Sequence, residues 1–178
     1  CYDFENLMDQ YKDYFFVSLQ QARDATAASS PVEGDEVVEQ AYQRSLKGPL
    51  VLAKKIKRAD IVVGIPFVNE ADTIGNVVKV ALEGIKKDFT NLSAVIVCYG
   101  ESGGGDALEA VRKIPLDQWP NAKSITFLKE NRSIAGKGWS IRAMMEIANE
   151  LGADCVFLDA DLITNQTQGL TPEWVSLL

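Results

Sequence analysis

Histidine is absent from the 178-residue chain, and cysteine occurs only three times. The first absence removes Ser-His-Asp and Cys-His catalysis and every zinc motif that uses an imidazole. Cys1, Cys98 and Cys155 form no CxxC pair. Cys98 and Cys155 lie inside apolar runs, where reduced core thiols are expected. No apolar run reaches the roughly 20 residues that a helix needs to cross a bilayer, and no secretory signal is legible. Positive charge is in deficit, with 18 Lys and Arg against 25 Asp and Glu and a net charge of -7. That balance argues against nucleic acid or an anionic membrane as partner. An anionic ligand must then be met by a local group of Lys, Arg and backbone N–H groups. A bound metal must rest on oxygen ligands, which points to Mg²⁺ or Mn²⁺.

What remains is ordinary for a soluble globular protein, with 47% hydrophobic and 24% charged residues, enough for a real core. With no signal or span legible, a cytoplasmic location is expected. The chain begins at Cys1 and stops at Leu178 inside what reads as a new helix, so a trimmed fragment is expected. Residues 1–58 read as a helical N-terminal extension. Phe4, Leu7, Met8, Tyr11, Phe15, Leu19 and Ala22 recur at helical spacing, and Ala27 to Asp35 reads as a loop. A further helix is predicted over 36–47, stopped by Gly48-Pro49. This arm carries no chemistry, and it is expected to pack on the domain or on a partner subunit, which leaves room for a homodimer.

From residue 59 the pattern changes to alternating strands and helices. Strands are predicted at Ile61 to Pro66, Ala94 to Cys98, Ser124 to Leu128 and Cys155 to Leu158. Helices are predicted over 70–87, 106–113 and 138–151. Such alternation predicts an α/β fold with a mostly parallel sheet, in which ligands bind outside the C-terminal ends of the strands. The polar motifs all fall at those ends.

Asp159-Ala160-Asp161 directly follows the apolar Val156-Phe157-Leu158. Side chains alternate along a strand, so both carboxylates would project the same way at the sheet edge with small Ala160 between them. Two carboxylates that close repel unless a cation or protons neutralise them. A divalent ion bridging them to a diphosphate would do so and could also carry leaving-group charge. Arg132-Ser133-Ile134-Ala135-Gly136-Lys137-Gly138 enters a helix, where glycines admit a ligand close to the backbone and the helix N-terminus favours an anion. It lacks the spacing of a Walker A loop. Pro66-Phe67-Val68-Asn69-Glu70 ends the first strand, with Glu70 placed to accept bonds from a base or ribose. Each has a bland alternative: solvated loop aspartates, an ordinary helix entry, and an acidic residue drawn to a helix N-terminus.

These three motifs, in this order, resemble the family 2-like glycosyltransferases of GT-A fold, over about residues 60–178. The run Gly136 to Asp161, with Leu170-Thr171-Pro172-Glu173-Trp174 after it, looks most like glucosyl-3-phosphoglycerate and mannosylglycerate-type synthases. The resemblance implies a Rossmann-like GT-A nucleotide-sugar-binding domain over 59–178. It implies transfer of a hexose from a UDP- or GDP-linked sugar to a small acceptor such as 3-phosphoglycerate, with Mg²⁺ or Mn²⁺. Pro66 and Glu70, with Phe67 and Asn69 between them, would line the nucleoside pocket. Lys137 and Gly136 would sit near base and diphosphate, Asp159 and Ala160 near ribose or sugar, and Asp161 would be the metal ligand. An Asp that the family usually carries after the second strand is replaced by Tyr99 or Gly100, which leaves the base open. Tyr99 is a candidate to stack on it, and Glu101 or Ser102 to bond it. The acceptor half, with any catalytic base, would lie beyond Leu178.

Two rival readings remain. A sugar nucleotidyltransferase would carry a Gly- and Arg-rich loop where Phe67-Val68-Asn69-Glu70 stands. A non-catalytic nucleotide-sugar-binding module would share the donor-binding residues. The Gly100 to Gly105 loop lacks the GxGxxG order of a dinucleotide site.

Overall fold

A computed structural model of the chain describes residues 33–100, 105–128, 136–162 and 171–172. The helix read over 2–28 and the Leu170–Trp174 run, apart from 171–172, lie outside the described residues. Two compact units are present, Cys1–Val37 and Val38–Leu178. The first is described only over 33–37, where it is helical.

The element order is α1 (Glu33–Ile56), β1 (Ile61–Phe67), α2 (Ile74–Asp88), β2 (Ala94–Gly100), α3 (Gly105–Arg112), a 3₁₀ turn at Leu116–Gln118, β3 (Ala122–Leu128), α4 (Lys137–Leu151) and β4 (Asp154–Phe157). Four strands form one sheet in the order β3-β2-β1-β4, and every pairing is parallel. The α/β reading is therefore correct at the level of a parallel, Rossmann-like sheet. Strand order advances from β1 to β3 on one side, then jumps back so that β4 pairs with the free edge of β1. That reversal makes a crevice between the C-terminal ends of β1 and β4, the usual ligand position in such sheets.

Strand periodicity divides the core between the two faces. Val63, Ile65 and Phe67 of β1, with Ile96 and Cys98 of β2, pack on Val77, Val78, Ala81 and Leu82 of α2 and on Ala107 and Val111 of α3. Val62, Val95, Val97 and Tyr99 belong to the opposite layer, with α1 and α4 residues Tyr42, Leu46, Met144 and Ile147. Strands buried on both faces read as continuous apolar runs, which is why β1 and β2 were plain in the sequence.

Helix α1 corrects two expectations. Residues 33–35 are helical rather than loop, and the helix runs through Gly48-Pro49 to Ile56. An interior proline costs a helix about 3 kcal/mol. Here its apolar face continues across the break, with Tyr42, Leu46, Pro49 and Ala53 all buried. That burial overrides the local stop signal, and α1 ends instead at Lys57, whose φ of 76° leaves helical space. Residues 38–56, read as part of the extension, thus supply one side of the α/β core.

Polar contacts fasten α1 to the rest of its layer. Ser45 Oγ donates to the Tyr42 carbonyl at 2.7 Å and shares a 2.8 Å hydrogen bond with the Tyr99 hydroxyl. Arg142 of α4 makes a two-pronged ion pair with Glu39 at 2.6 and 2.8 Å, and its Nε donates to Glu146 at 3.0 Å. The guanidinium also stacks 4.4 Å from the Tyr42 ring centroid and 5.3 Å from that of Trp139. Burial, with the Glu146 carboxylate beside it, pushes the Tyr42 phenol far up, so it stays a donor to Glu146 at 2.9 Å.

The hydrogen bond from Arg142 holds Glu39 below its ordinary pKa of 4.5. A depressed carboxylate contributes stability that is complete above its unfolded pKa and is lost as pH falls through the folded one. An Arg142→Met chain should accordingly be less stable at neutral pH. Its urea midpoint should also fall less than that of the wild type between about pH 5 and pH 3. Parallel midpoint-versus-pH curves for the two chains would show that this pair contributes nothing to the acid limb.

Candidate functional site

The crevice opens where β1 and β4 separate. Their pairing ends at Gly64 with Phe157, and the Leu158 N–H then donates to the Gly64 carbonyl at 3.0 Å. Backbone groups two residues apart in a strand point the same way, so the position of Pro66 N faces the side that β4 has just left. A donor there would lack its ladder partner, and proline has none to lose. Gly64 lies at the junction itself. A Cβ placed on it would meet Met144 Sδ at 2.7 Å and the Phe157 ring at 2.9 Å.

Three chain segments meet at this edge. After β1, the Glu70 carbonyl accepts the N–H groups of Thr73 and Ile74 at 3.2 and 2.9 Å, which turns the chain into α2. The Glu70 carboxylate accepts the Val68 N–H and closes the same turn. After β4, the Asp159-Ala160-Asp161 turn is tied to that loop by Thr73, whose Oγ1 donates to the Ala160 carbonyl at 2.7 Å. The third segment is the entry to α4. Gly136 has φ 108° and ψ 148°, a conformation open to glycine alone, and places Lys137 as the first helical residue. The Lys137 ammonium is in contact with Asp159 Oδ1. The lysine and aspartate side chains remain 57% and 54% exposed. The α4 N-terminus adds the partial positive charge and outward N–H groups of any helix start.

The residues picked from sequence separate into three groups. Asn69, Gly136, Lys137, Asp159 and Asp161 are exposed at the crevice edge, and Glu70 is half-buried there. Pro66, Phe67, Ala160 and Tyr99 are buried. Phe67 packs between the sheet and α2, and Ala160 seats the acidic turn against the same layer. Tyr99 belongs to the α1/α4 layer with its hydroxyl on Ser45, so its ring lies in the core and not over the strand ends. Glu101 and Ser102 lie outside the described residues, as do Arg132 to Ala135.

Two residues at the edge had escaped the sequence reading. Val68 is 44% exposed directly after β1 and offers the apolar surface that Phe67 does not. The Thr73 partner stands 87 residues away along the chain, and the only local signal, a threonine before a helix, reads as an N-cap.

Among the described residues no group of three or more His, Cys, Asp or Glu could hold an ion by itself. Mg²⁺ asks for less, since it commonly takes one or two carboxylates and completes its shell with substrate phosphates and water. Asp159 and Asp161 are the two exposed carboxylates of the turn, and Lys137 is in contact with the first. An open hollow of about 550 Å³ runs along the flank of α4 past Leu50, Ile141, Met145 and Glu150. Two of its polar members, Arg142 and Glu146, are already joined to α1, so the hollow follows the seam between α1 and α4.

Comparison of the chain with protein-family models, with curated proteins and with solved structures returned no match. No helix of the described residues is long and apolar enough to cross a membrane.

Proposed function

We propose that this chain is the donor-binding part of a metal-dependent glycosyltransferase. It would take a hexose from a nucleotide diphosphate sugar, UDP- or GDP-linked, and pass it to a small acceptor such as 3-phosphoglycerate. The observation that carries the reading is the Lys137–Asp159 contact beside Asp161, where β1 and β4 part. One crevice thereby holds an ammonium and a helix N-terminus suited to a diphosphate, and two carboxylates suited to Mg²⁺ or Mn²⁺.

Each residue has a task that follows from its place. Val68 and Asn69 lie on the loop that would flank the nucleoside, and Glu70 holds that loop in its turn through the Val68 N–H. Lys137 supplies positive charge to the diphosphate, and Gly136 gives backbone access beside it. Thr73 fixes the acidic turn so that Asp159 and Asp161 keep their positions. A divalent ion held by Asp161 would neutralise the diphosphate and the charge that develops on it as it leaves.

The reading is tested by calorimetric titration of the chain with UDP-glucose and with GDP-mannose, each with Mn²⁺ and with EDTA. Saturable binding of one donor, tightened by Mn²⁺, is the expected result. Silence from both donors in both conditions would dispose of it.

A further inference from the structure

We propose that the outer face of α1 docks on an anionic lipid surface, through cations set around the exposed Val51. The site lies apart from the crevice and does not depend on what the crevice binds.

The net charge of -7 hides a segment of the opposite sign. From Ala41 to Ala59 the chain carries Arg44, Lys47, Lys54, Lys55, Lys57 and Arg58 and no acidic residue. All six cations are exposed. Helical spacing gathers four of them on one face. Tyr42, Leu46, Pro49 and Ala53 make the buried stripe of α1, while Arg44, Lys47, Val51, Lys54 and Lys55 recur on the side away from it. Val51 is 52% exposed and its neighbour Leu52 44%.

Acidic neighbours leave this face positive. Glu39 is taken by Arg142 at 2.6 and 2.8 Å, and Asp60 accepts the backbone N–H and the hydroxyl of Ser93 at 2.8 and 2.9 Å. Glu146 and Glu150 of α4 line the hollow past Leu50, to one side of the face. Arg44, Lys47, Lys54 and Lys55 have no ion-pair partner among the described residues. A charge is felt over about 10 Å at 0.1 M salt, so a flat surface meeting α1 senses these cations and little of the acidity elsewhere.

The chemistry of the face selects its partner. Exposed apolar side chains among cations suit a bilayer surface, where lysine stems reach the headgroups and an apolar tip enters the acyl boundary. Each cation near an anionic leaflet raises affinity about fivefold. A nucleic acid would want aromatic side chains to stack on its bases, and none occurs between Gln43 and Ala59. A peptide is usually held by a groove or a sheet edge, which the outer side of a single helix does not offer.

Co-sedimentation with vesicles of equal parts phosphatidylserine and phosphatidylcholine tests the proposal. The wild-type chain should pellet with them, stay in solution with pure phosphatidylcholine, and be released at about 1 M KCl, where screening shortens to about 3 Å. Lys47→Gln, Lys54→Gln and Lys55→Gln together should weaken binding about 100-fold. Lys79→Gln, Lys86→Gln and Lys113→Gln change net charge equally on α2 and its neighbour α3, in the opposite layer, and should stay within about twofold of wild type. Val51→Gln with Leu52→Gln keeps the charge and should cost about fivefold. All substituted positions are exposed, and circular dichroism should show every chain equally folded. A wild-type chain that ignores the mixed vesicles, or two lysine triples that lose binding equally, would overturn the proposal. A chain held by poly-glutamate and not by vesicles would overturn it in favour of an acidic protein.

Discussion

A Gly64→Val chain is expected to lose about 3 kcal/mol of stability, at the upper end of the cost of overpacking a well-filled core. Gly64 stands in the middle of β1, paired on one side with Val97 of β2 and on the other with Phe157 of β4. A single Cβ there would already meet Met144 Sδ at 2.7 Å and the Phe157 ring at 2.9 Å. Met144 can bend aside, but the Phe157 ring is held by its own strand, and valine adds two methyl groups to the conflict. For a domain of this size the loss corresponds to a fall in melting temperature of roughly 6–12 °C. Thermal unfolding followed by circular dichroism reads it directly. The effect should reach the crevice as well, because β1 and β4 begin to part at this residue. A valine variant that melts with the wild type would mean that α4 and β4 do not close on β1 as described.

Asp161→Asn is expected to act on function and not on fold. The substitution keeps the size of an exposed side chain and removes the charge that a divalent ion needs. Mn²⁺-assisted binding of the nucleotide sugar should weaken roughly 10- to 100-fold, the worth of one charged contact. Binding in EDTA and the melting temperature should stay as in the wild type. Calorimetry of the two chains side by side separates these outcomes. Undiminished Mn²⁺ dependence in the variant would remove Asp161 as the metal ligand.

Much of the architecture was legible because buried parallel strands leave unbroken apolar runs. Ile61 to Pro66 and Ala94 to Cys98 could hardly be read otherwise, and the helices after them showed their stripes. Strand order was not legible, since it depends on which edge of β1 receives β4 and no local pattern records that. The stop signal at Gly48-Pro49 is overridden in helix α1 by a buried tertiary face that no local pattern records. In the proposed site, the described charged candidates are exposed or half-buried at the strand ends and the apolar ones are buried. Lys137, Asp159 and Asp161 stand at the edge where their motifs placed them. Phe67 and Tyr99 lie in strands buried on both faces, Phe67 in the α2/α3 layer and Tyr99 in the α1/α4 layer, and Val68, one residue past β1, is exposed. Thr73 was out of reach because its role comes from a contact formed only in the folded chain.

If the chain binds a donor as proposed, nucleotide and metal meet between the ends of β1 and β4. Mn²⁺ broadens the amide resonances of nearby residues, so an NMR titration of the ¹⁵N-labelled chain with UDP and sub-stoichiometric Mn²⁺ locates them. Broadening should centre on Asp159 to Asp161 and extend to Gly136, Lys137 and Val68 to Glu70, while Asp60, Ser93 and Asp154 at the opposite end of the sheet stay sharp. Broadening centred on that opposite end, or none that UDP enhances, would place the ligands elsewhere or nowhere on this chain.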